Sequence, residues 1–373
     1  MRWIQTLNPQ VVEPERTQSM EKVRLGLLRN ESDSDHVLWL RAYDDRRDRI
    51  DLSVIDLSRS DWLDRVRDDG FDAFLSVPPG VTAAFKLLYD ERIRILASLD
   101  IAPIYPSPEE IYIYENKRYL SYWLRAHGVP HARTWVFYSE SEAMDFLERA
   151  GFPLVGKLSI GASGSGVTVL ASPSEASYYV RAIFSGKGVT RTSGPKWRRK
   201  GFFGRLARGV MQPGVLRSKL KRYRDIREDV QTDFVLLQEF VPHSFEWRGV
   251  RIGDSFFAHK KIVENRMASG SLLKQYEDPP RELLDFVKEI TDRHEFYSQA
   301  IDIFESAGQD YLVNEMQCIF GQSDPHQMLV NGRPGRYLHS GEGWVFEEGD
   351  FNRHESFLLR LDYVLERLSS VER

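Results

Sequence analysis

From residue 23 onward, apolar positions recur along the chain in two alternating rhythms. Residues 23–28, Val-Arg-Leu-Gly-Leu-Leu, and 50–57, where Ile, Leu and Val alternate with Asp and Ser, predict strands. Ser60 is placed as an N-cap for a helix that carries Trp62, Leu63 and Val66 on one face, and the apolar run 71–77 predicts a strand. After the Pro78-Pro79-Gly80 turn, apolar residues at helical intervals predict a helix over 83–99, followed by a short strand at 101–105 that Pro106 closes. Strands and helices in this order predict an open, mainly parallel sheet.

A second unit begins near Tyr114 with a predicted helix at 116–127 that Gly128 and Pro130 end. Residues 134–138, 154–158 and 167–170 predict strands around a helix at 141–150, so the rhythm changes from parallel α/β to α+β. Strand patterns return at 234–241, 249–263, 298–304 and 310–316, with a helix at 280–293 and an amphipathic helix at 355–368. No internal repeat is visible.

Composition narrows this only a little. The chain has 373 residues, 42% hydrophobic and 28% charged, with a formal net charge of -4, which excludes a disordered or fibrous protein. No stretch reaches the roughly 18 apolar residues of a membrane helix. Residues 1–22 carry Asn8, Gln10, Glu13 and Glu15 where a signal peptide needs apolar residues, so a cytoplasmic location is expected. The single cysteine, Cys318, excludes an intramolecular disulfide and a thiol-rich zinc site, and it reads as a packed, inert side chain. Charge is unevenly spread: residues 186–229 hold fourteen Lys or Arg against three acidic residues, a balance of +11 that leaves -15 for the rest.

Three stretches carry candidate chemistry. In Pro153-Leu-Val-Gly-Lys157-Leu-Ser-Ile-Gly161-Ala-Ser163-Gly164-Ser165-Gly166, a strand bearing a lysine runs into a loop of small residues and then into another strand. Small side chains let backbone amides approach a polyphosphate, and the lysine adds fixed positive charge. It is not a Walker A loop, since no Gly-Lys-Ser/Thr follows; the alternative is a flexible hairpin. In the second stretch, Glu315 and Gln317 stand two apart on a strand and face the same way, and Asp302 joins them if the two strands pair. Such a set of oxygen donors suits Mg²⁺ in a nucleotide site, the alternative being a solvated acidic sheet face. The third stretch, Gln238-Glu239-Phe240-Val241, ends a buried strand and is followed by Glu246, Arg248, Arg251, Lys260 and Lys261. Exposed backbone there suits a purine edge, and Glu246 suits ribose hydroxyls, the alternative being that each is simply a strand terminus.

In order and spacing these pieces resemble the ATP-grasp superfamily, over residues 23–321, in the branch of ribosomal-protein glutamate ligase and glutathione synthetase. The resemblance implies a fold of mixed class, α/β and α+β, with an N-terminal parallel α/β pre-ATP-grasp domain. The expected divisions are an extension at 1–22, the pre-ATP-grasp domain at 23–113 and a central lobe at 114–185. A basic insertion at 186–229, a C-terminal lobe at 230–330 and a tail with a helix at 331–373 follow. It further implies that Lys117 and Lys157 hold the α- and β-phosphates of ATP under the loop from Gly161 to Gly166. Gln238, Glu239, Phe240 and Val241 would form the hinge, with Glu246 at the ribose. Asp302, Glu315 and Gln317 would bind one or two Mg²⁺ ions, and Arg248, with Lys260 or Lys261, would stabilise the reacting group. Gln317 departs from the usual Asn by one methylene. Lys157 and Gln238 are 81 residues apart, a longer interval than the family usually has, because of the basic insertion.

The implied activity is ATP-dependent joining of a carboxylate to an amine through an acylphosphate. A kinase-like phosphotransferase and a non-catalytic ATP-binding regulator are the alternatives. The expected partners are a small-molecule or glycan carboxylate and an amine. The basic insertion reads either as a solvated charge run or, because aromatics interleave its charges, as a surface for an anionic substrate, which is favoured over a membrane surface; nucleic acid is not expected. A homodimer is compatible with the resemblance.

Overall fold

The computed structural model describes residues 22–68, 70–161, 166–191, 213–264, 267–268, 273–306 and 310–371. Its first unit alternates β1 (Val23–Arg29), α1 (Val37–Asp44), β2 (Ile50–Asp56), α2 (Trp62–Asp68), β3 (Ala73–Ser76), α3 (Ala83–Leu99) and β4 (Ile104–Tyr105). The four strands form a parallel sheet in the order β2-β1-β3-β4. Continuous burial of Leu25, Leu27 and Leu28 fits a strand covered on both faces. The Thr82 side chain caps α3 by accepting from the Phe85 amide at 3.4 Å. Helix α1, absent from the sequence reading, is marked by buried Trp39 and Ala42.

Two helices lead out of this unit, α4 (Pro108–Ile113) and α5 (Lys117–Ala126). The first starts in a reciprocal cap between Ser107 and Glu110, and Asn116 caps the second by accepting from Tyr119 N at 3.2 Å. Next come β5 (Thr134–Phe137), α6 (Glu140–Leu147), β6 (Leu154–Lys157), β7 (Val167–Leu170) and α7 (Pro173–Phe184). A narrow ribbon of β8 (Val189–Thr190) and β9 (Val230–Gln231) brackets α8 (Pro213–Glu228), and β10 (Val235–Glu239) then inserts between β5 and β6. The second sheet is therefore antiparallel, in the order β5-β10-β6-β7.

The large sheet comprises β11 (Phe245–Ile252), β12 (Ser255–Glu264), β13 (Met267–Ala268), β14 (Lys274–Gln275), β15 (Ser298–Glu305), β16 (Tyr311–Gln317), β17 (Leu329–Val330), β18 (Arg333–Ser340) and β19 (Gly343–Glu348). Its main order is β16-β15-β11-β12-β18-β17, and α9 (Arg281–Arg293) covers its rear face. The apolar pattern alone predicts one continuous run over 249–263. A turn at Gly253, where φ is +55°, instead splits it into a hairpin of β11 and β12.

Beyond residue 330 the chain is not a tail. Strand β18 joins the large sheet beside β12, and α10 (Phe357–Val371) packs on the first sheet. Phe357, Leu358, Leu361, Val364 and Leu365 are buried there, each contributing about 1.5–3 kcal/mol of transfer free energy. Phe357 meets Trp39 edge-on at 5.0 Å, so this end of the chain ties the two units together. No helix among the described residues is long and apolar enough to cross a membrane.

Candidate functional site

Strand pairing gathers the charged residues of the large sheet on its front face. Glu246 lies opposite Lys261, Arg248 opposite Asp302, and Asp302 opposite Glu315. The pairing expected for Asp302 and Glu315 is thus present. The register then slips: Ile303 pairs with Val313, which leaves Asn314 as the extra residue of a bulge. As a result two consecutive side chains, Asn314 and Glu315, reach the same cluster.

The contacts are short and reciprocal. Arg248 donates to both oxygens of Asp302, from Nε at 2.8 Å and Nη2 at 3.0 Å. Lys261 Nζ bridges Asp302 Oδ2 at 2.7 Å and Glu246 Oε2 at 2.8 Å, while Asn314 Nδ2 donates to Glu246 Oε1 at 3.0 Å. Lys157, at the end of β6, donates to Asn314 Oδ1 at 2.7 Å, and Lys117, at the start of α5, pairs with Glu315 Oε1 at 3.0 Å. Residues from both antiparallel sheets and the intervening helix therefore meet at one point.

The entrance to the glycine-rich loop is held from both sides. Lys117 Nζ donates to the Gly161 carbonyl at 2.7 Å, and Gly161 N donates to Glu115 Oε2 at 2.9 Å. Gly161 has φ of +142°, a conformation that favours glycine. Gly166 re-enters the sheet, its carbonyl accepting from Leu158 N at 2.8 Å. Ser163, Gly164 and Ser165 lie outside the described residues.

Burial makes these charges respond to one another. Burial opposes ionisation of Asp302, but Arg248 and Lys261 outweigh it and hold that carboxyl well below its usual range. Glu315 is likewise kept low against burial by Lys117, whereas burial dominates at Glu115 and raises it. Burial pulls the Lys157 ammonium down to about 8. The cluster holds four cations, Lys117, Lys157, Arg248 and Lys261, and four carboxylates, Glu115, Glu246, Asp302 and Glu315. Buried pairs of this kind are a poor route to stability, because desolvation of both charges offsets their attraction.

Other predicted residues stand differently. Lys260 projects to the rear of β12, pairs with Glu277 at 2.6 Å and lies over the Phe245 and Trp247 rings, so only Lys261 joins the cluster. The Glu239 carboxylate is engaged by the Arg133 amide at 2.8 Å and Arg133 Nε at 2.6 Å. Gln238 donates to Thr134 Oγ1 at 3.0 Å, the Val241 carbonyl accepts from His243 Nδ1 at 2.6 Å, and Phe240 lies between them at the end of β10. Gln317 shares the Glu315 side of β16 and sits opposite Ala300. Among the described residues no three His, Cys, Asp or Glu side chains converge as a metal site, which leaves the mixed set of two carboxylates and one amide. Cys318 is fully buried, and burial pushes its thiol well up. Sequence reasoning missed Glu115 and Asn314; neither a bulge nor a positive φ of 48° at Glu115 has a residue-type signature here.

No family model matches the chain. Over 93 residues it is 37% identical to the trifunctional purine biosynthetic protein adenosine-3 of Bos taurus, covering 25% of this chain and 9% of that protein. The solved structure of D-cycloserine synthetase is similar with a TM-score of 0.54 at 15% identity, covering 92% of this chain and 99% of that one. D-alanine–D-alanine ligase of Bacillus anthracis gives 0.51 at 14% identity, over 94% and 98% of the two chains. The chain has the ATP-grasp fold. The same fold likeness extends to the biotin carboxylase domain of Hydrogenobacter thermophilus 2-oxoglutarate carboxylase. That structure holds MgADP and bicarbonate and matches with a TM-score of 0.51 at 13% identity, over 82% of this chain and 66% of that one.

Proposed function

We propose that this chain is an ATP-dependent carboxylate–amine ligase. The observation that carries the reading is the convergence of Lys117, Lys157, Arg248 and Lys261 on Asp302 and Glu315 beside a glycine-rich loop. Lys117 and Lys157 bind the α- and β-phosphates, and the loop between Gly161 and Gly166 offers its amides to the β- and γ-phosphates. Glu246 keeps lone pairs beyond its bonds to Asn314 and Lys261, with which it accepts from the ribose hydroxyls. Gln238 and Glu239 at the end of β10, with Phe240 and Val241 just after it, line the purine side.

Asp302 and Glu315 with the Gln317 amide fit one or two Mg²⁺ ions, hard oxygen donors on adjacent strands, and bound there magnesium supplies charge that offsets the phosphates. A substrate carboxylate oxygen forms a bond to the γ-phosphorus as the bond to the β–γ bridging oxygen breaks, and ADP leaves. An amine nitrogen then attacks the acyl carbon, phosphate departs, and the ammonium proton passes to solvent. Arg248, positioned through Asp302, donates hydrogen bonds to the oxygens that gain charge, and Lys261 holds the Asp302 and Glu246 carboxylates apart.

ADP and phosphate release that requires carboxylate and amine together supports this reading. A stable phosphorylated product would make the protein a phosphotransferase, and nucleotide binding without turnover would make it a regulator. We further propose that the basic segment receives an anionic substrate; nearly half of it, 192–212, lies outside the described residues. Its base is clamped to the first unit, with Arg191 Nη2 donating to Asp229 Oδ2 at 3.0 Å and to the Val81 carbonyl. An acceptor Michaelis constant that rises steeply with salt is the expected signature.

A further inference from the structure

The front face of the large sheet continues past the charge cluster. Strand β14 pairs with β12 so that Lys274 lies opposite Lys261, whose ammonium is 2.7 Å from Asp302. Lys274 Nζ donates to Gln322 Oε1 and, at 3.1 Å, to Asp324 Oδ2. Tyr276 OH donates to the same Asp324 oxygen at 2.6 Å and accepts from Gln322 Nε2 at 3.3 Å. No bond among the described residues engages Asp324 Oδ1. The loop is fixed from below: Asn352, 7% exposed, donates from Nδ2 to the carbonyls of Gln322 at 2.9 Å and Asp324 at 2.6 Å. His326 closes the far side with its ring 4.7 Å from that of Tyr276.

The two charges of this pair differ in access. The Lys274 side chain is 12% exposed and that of Asp324 is 41% exposed. A ligand with one charge must break the pair and strand the other member, which costs a charge-assisted bond. A ligand with both charges exchanges both partners at once and leaves none unpaired.

We propose that Lys274, Tyr276, Gln322 and Asp324 form a subsite for a zwitterionic, amino-acid-like substrate. Lys274 takes the carboxylate on the side nearer Asp302, and Asp324 Oδ1 takes the ammonium. This rests on the ligase reading. The carboxylate held at Lys274 is the one that attacks the γ-phosphorus, and the substrate's own amino group, protonated on Asp324, is not the nucleophile. A second molecule supplies the attacking amine.

The experiment uses the full chain with MgATP and hydroxylamine as the amine, following ADP release and hydroxamate formation. Alanine, serine and glutamate are compared with propionate, 3-hydroxypropionate and glutarate, respectively. Amino acids are expected to give kcat/KM at least about 10-fold above the partners that lack the ammonium. Asp324→Asn raises the amino-acid KM by about 10- to 100-fold and narrows that ratio, and Lys274→Met raises KM for both sets. Unchanged ATP affinity by calorimetry in both variants shows that they fold. Equal kcat/KM for the two sets, or an amino-acid KM that Asp324→Asn leaves alone, overturns the subsite with the ligase reading intact. Absence of ADP release with every carboxylate overturns both.

Discussion

Arg248 and Arg251 lie three residues apart on β11 and face opposite sides of the same sheet. On the front, Arg248 holds a carboxylate, Asp302, that Lys261 shares. On the rear, Arg251 donates to the Gly253 carbonyl at 2.9 Å, to Thr291 Oγ1 at 2.9 Å and to Asp292 at 2.5 Å, where it fastens the end of α9. Its guanidinium also lies over the rings of Phe256 and Tyr297. The rear contacts end in backbone, in a hydroxyl and a carboxylate of α9 and in packed rings, and together they fasten that helix to the sheet. The front contacts join side-chain charges to side-chain charges, and phosphates or a cation can take over either half. One face is built to hold and the other to exchange.

The largest effect that separates the faces is expected at Glu315. Glu315→Ala should lower magnesium-dependent turnover by about 10³-fold, on the scale of losing one electrostatic partner of the transition state, while the unfolding midpoint stays near wild type. Normal turnover at low magnesium would move the metal site elsewhere. The mirror experiment is Arg251→Met, which should cost roughly 2–4 kcal/mol in urea unfolding and leave the ATP dissociation constant unchanged. A stable variant with weakened ATP binding would erase the distinction between the faces.

A smaller, pH-dependent effect comes from Glu110, also behind the front face. Its oxygens accept from the Ser107 amide at 2.8 Å and the Ser298 amide at 2.8 Å, and burial raises the carboxyl from 4.5 to about 7. The unfolded chain releases this proton near the ordinary value, whereas the folded chain keeps it until about 7. Between these limits the folded state binds more protons, so this group's contribution to stability falls as pH rises from about 4.5 to about 7 and is level above. Urea unfolding of Glu110→Gln across this range should show a flatter slope than wild type; parallel slopes would mean that Glu110 is ionised in the fold.

The sequence made much of the exchanging face legible because its residues obey simple periods. Two-residue spacing put Glu315 and Gln317 on one side, and the strand–lysine–glycine order located Lys157. What stayed hidden depends on register. Lys260 and Lys261 are equivalent in sequence, and only the pairing of Lys261 with Glu246 decides which one faces the cluster. Asn314 enters through a bulge, and Lys274 through a two-residue strand too short to leave a periodic trace. The strands after residue 330 escaped for a related reason: β18, with Arg333, Pro334, Gly335 and Arg336 at its start, lacks the apolar alternation that marks a strand.

Titration of MgATP into the wild-type protein and Lys157→Ala by calorimetry, at pH 7 and pH 9, tests the exchanging cluster most directly. Burial holds the Lys157 ammonium at about 8, so phosphate binding should draw a proton onto it above that pH and weaken as pH rises. Measurable MgATP binding is expected at pH 7, weaker binding with proton uptake at pH 9, and loss of about 100-fold in affinity together with that uptake in Lys157→Ala. Equal affinity in wild type and a well-folded Lys157→Ala, with the same proton uptake, would contradict it.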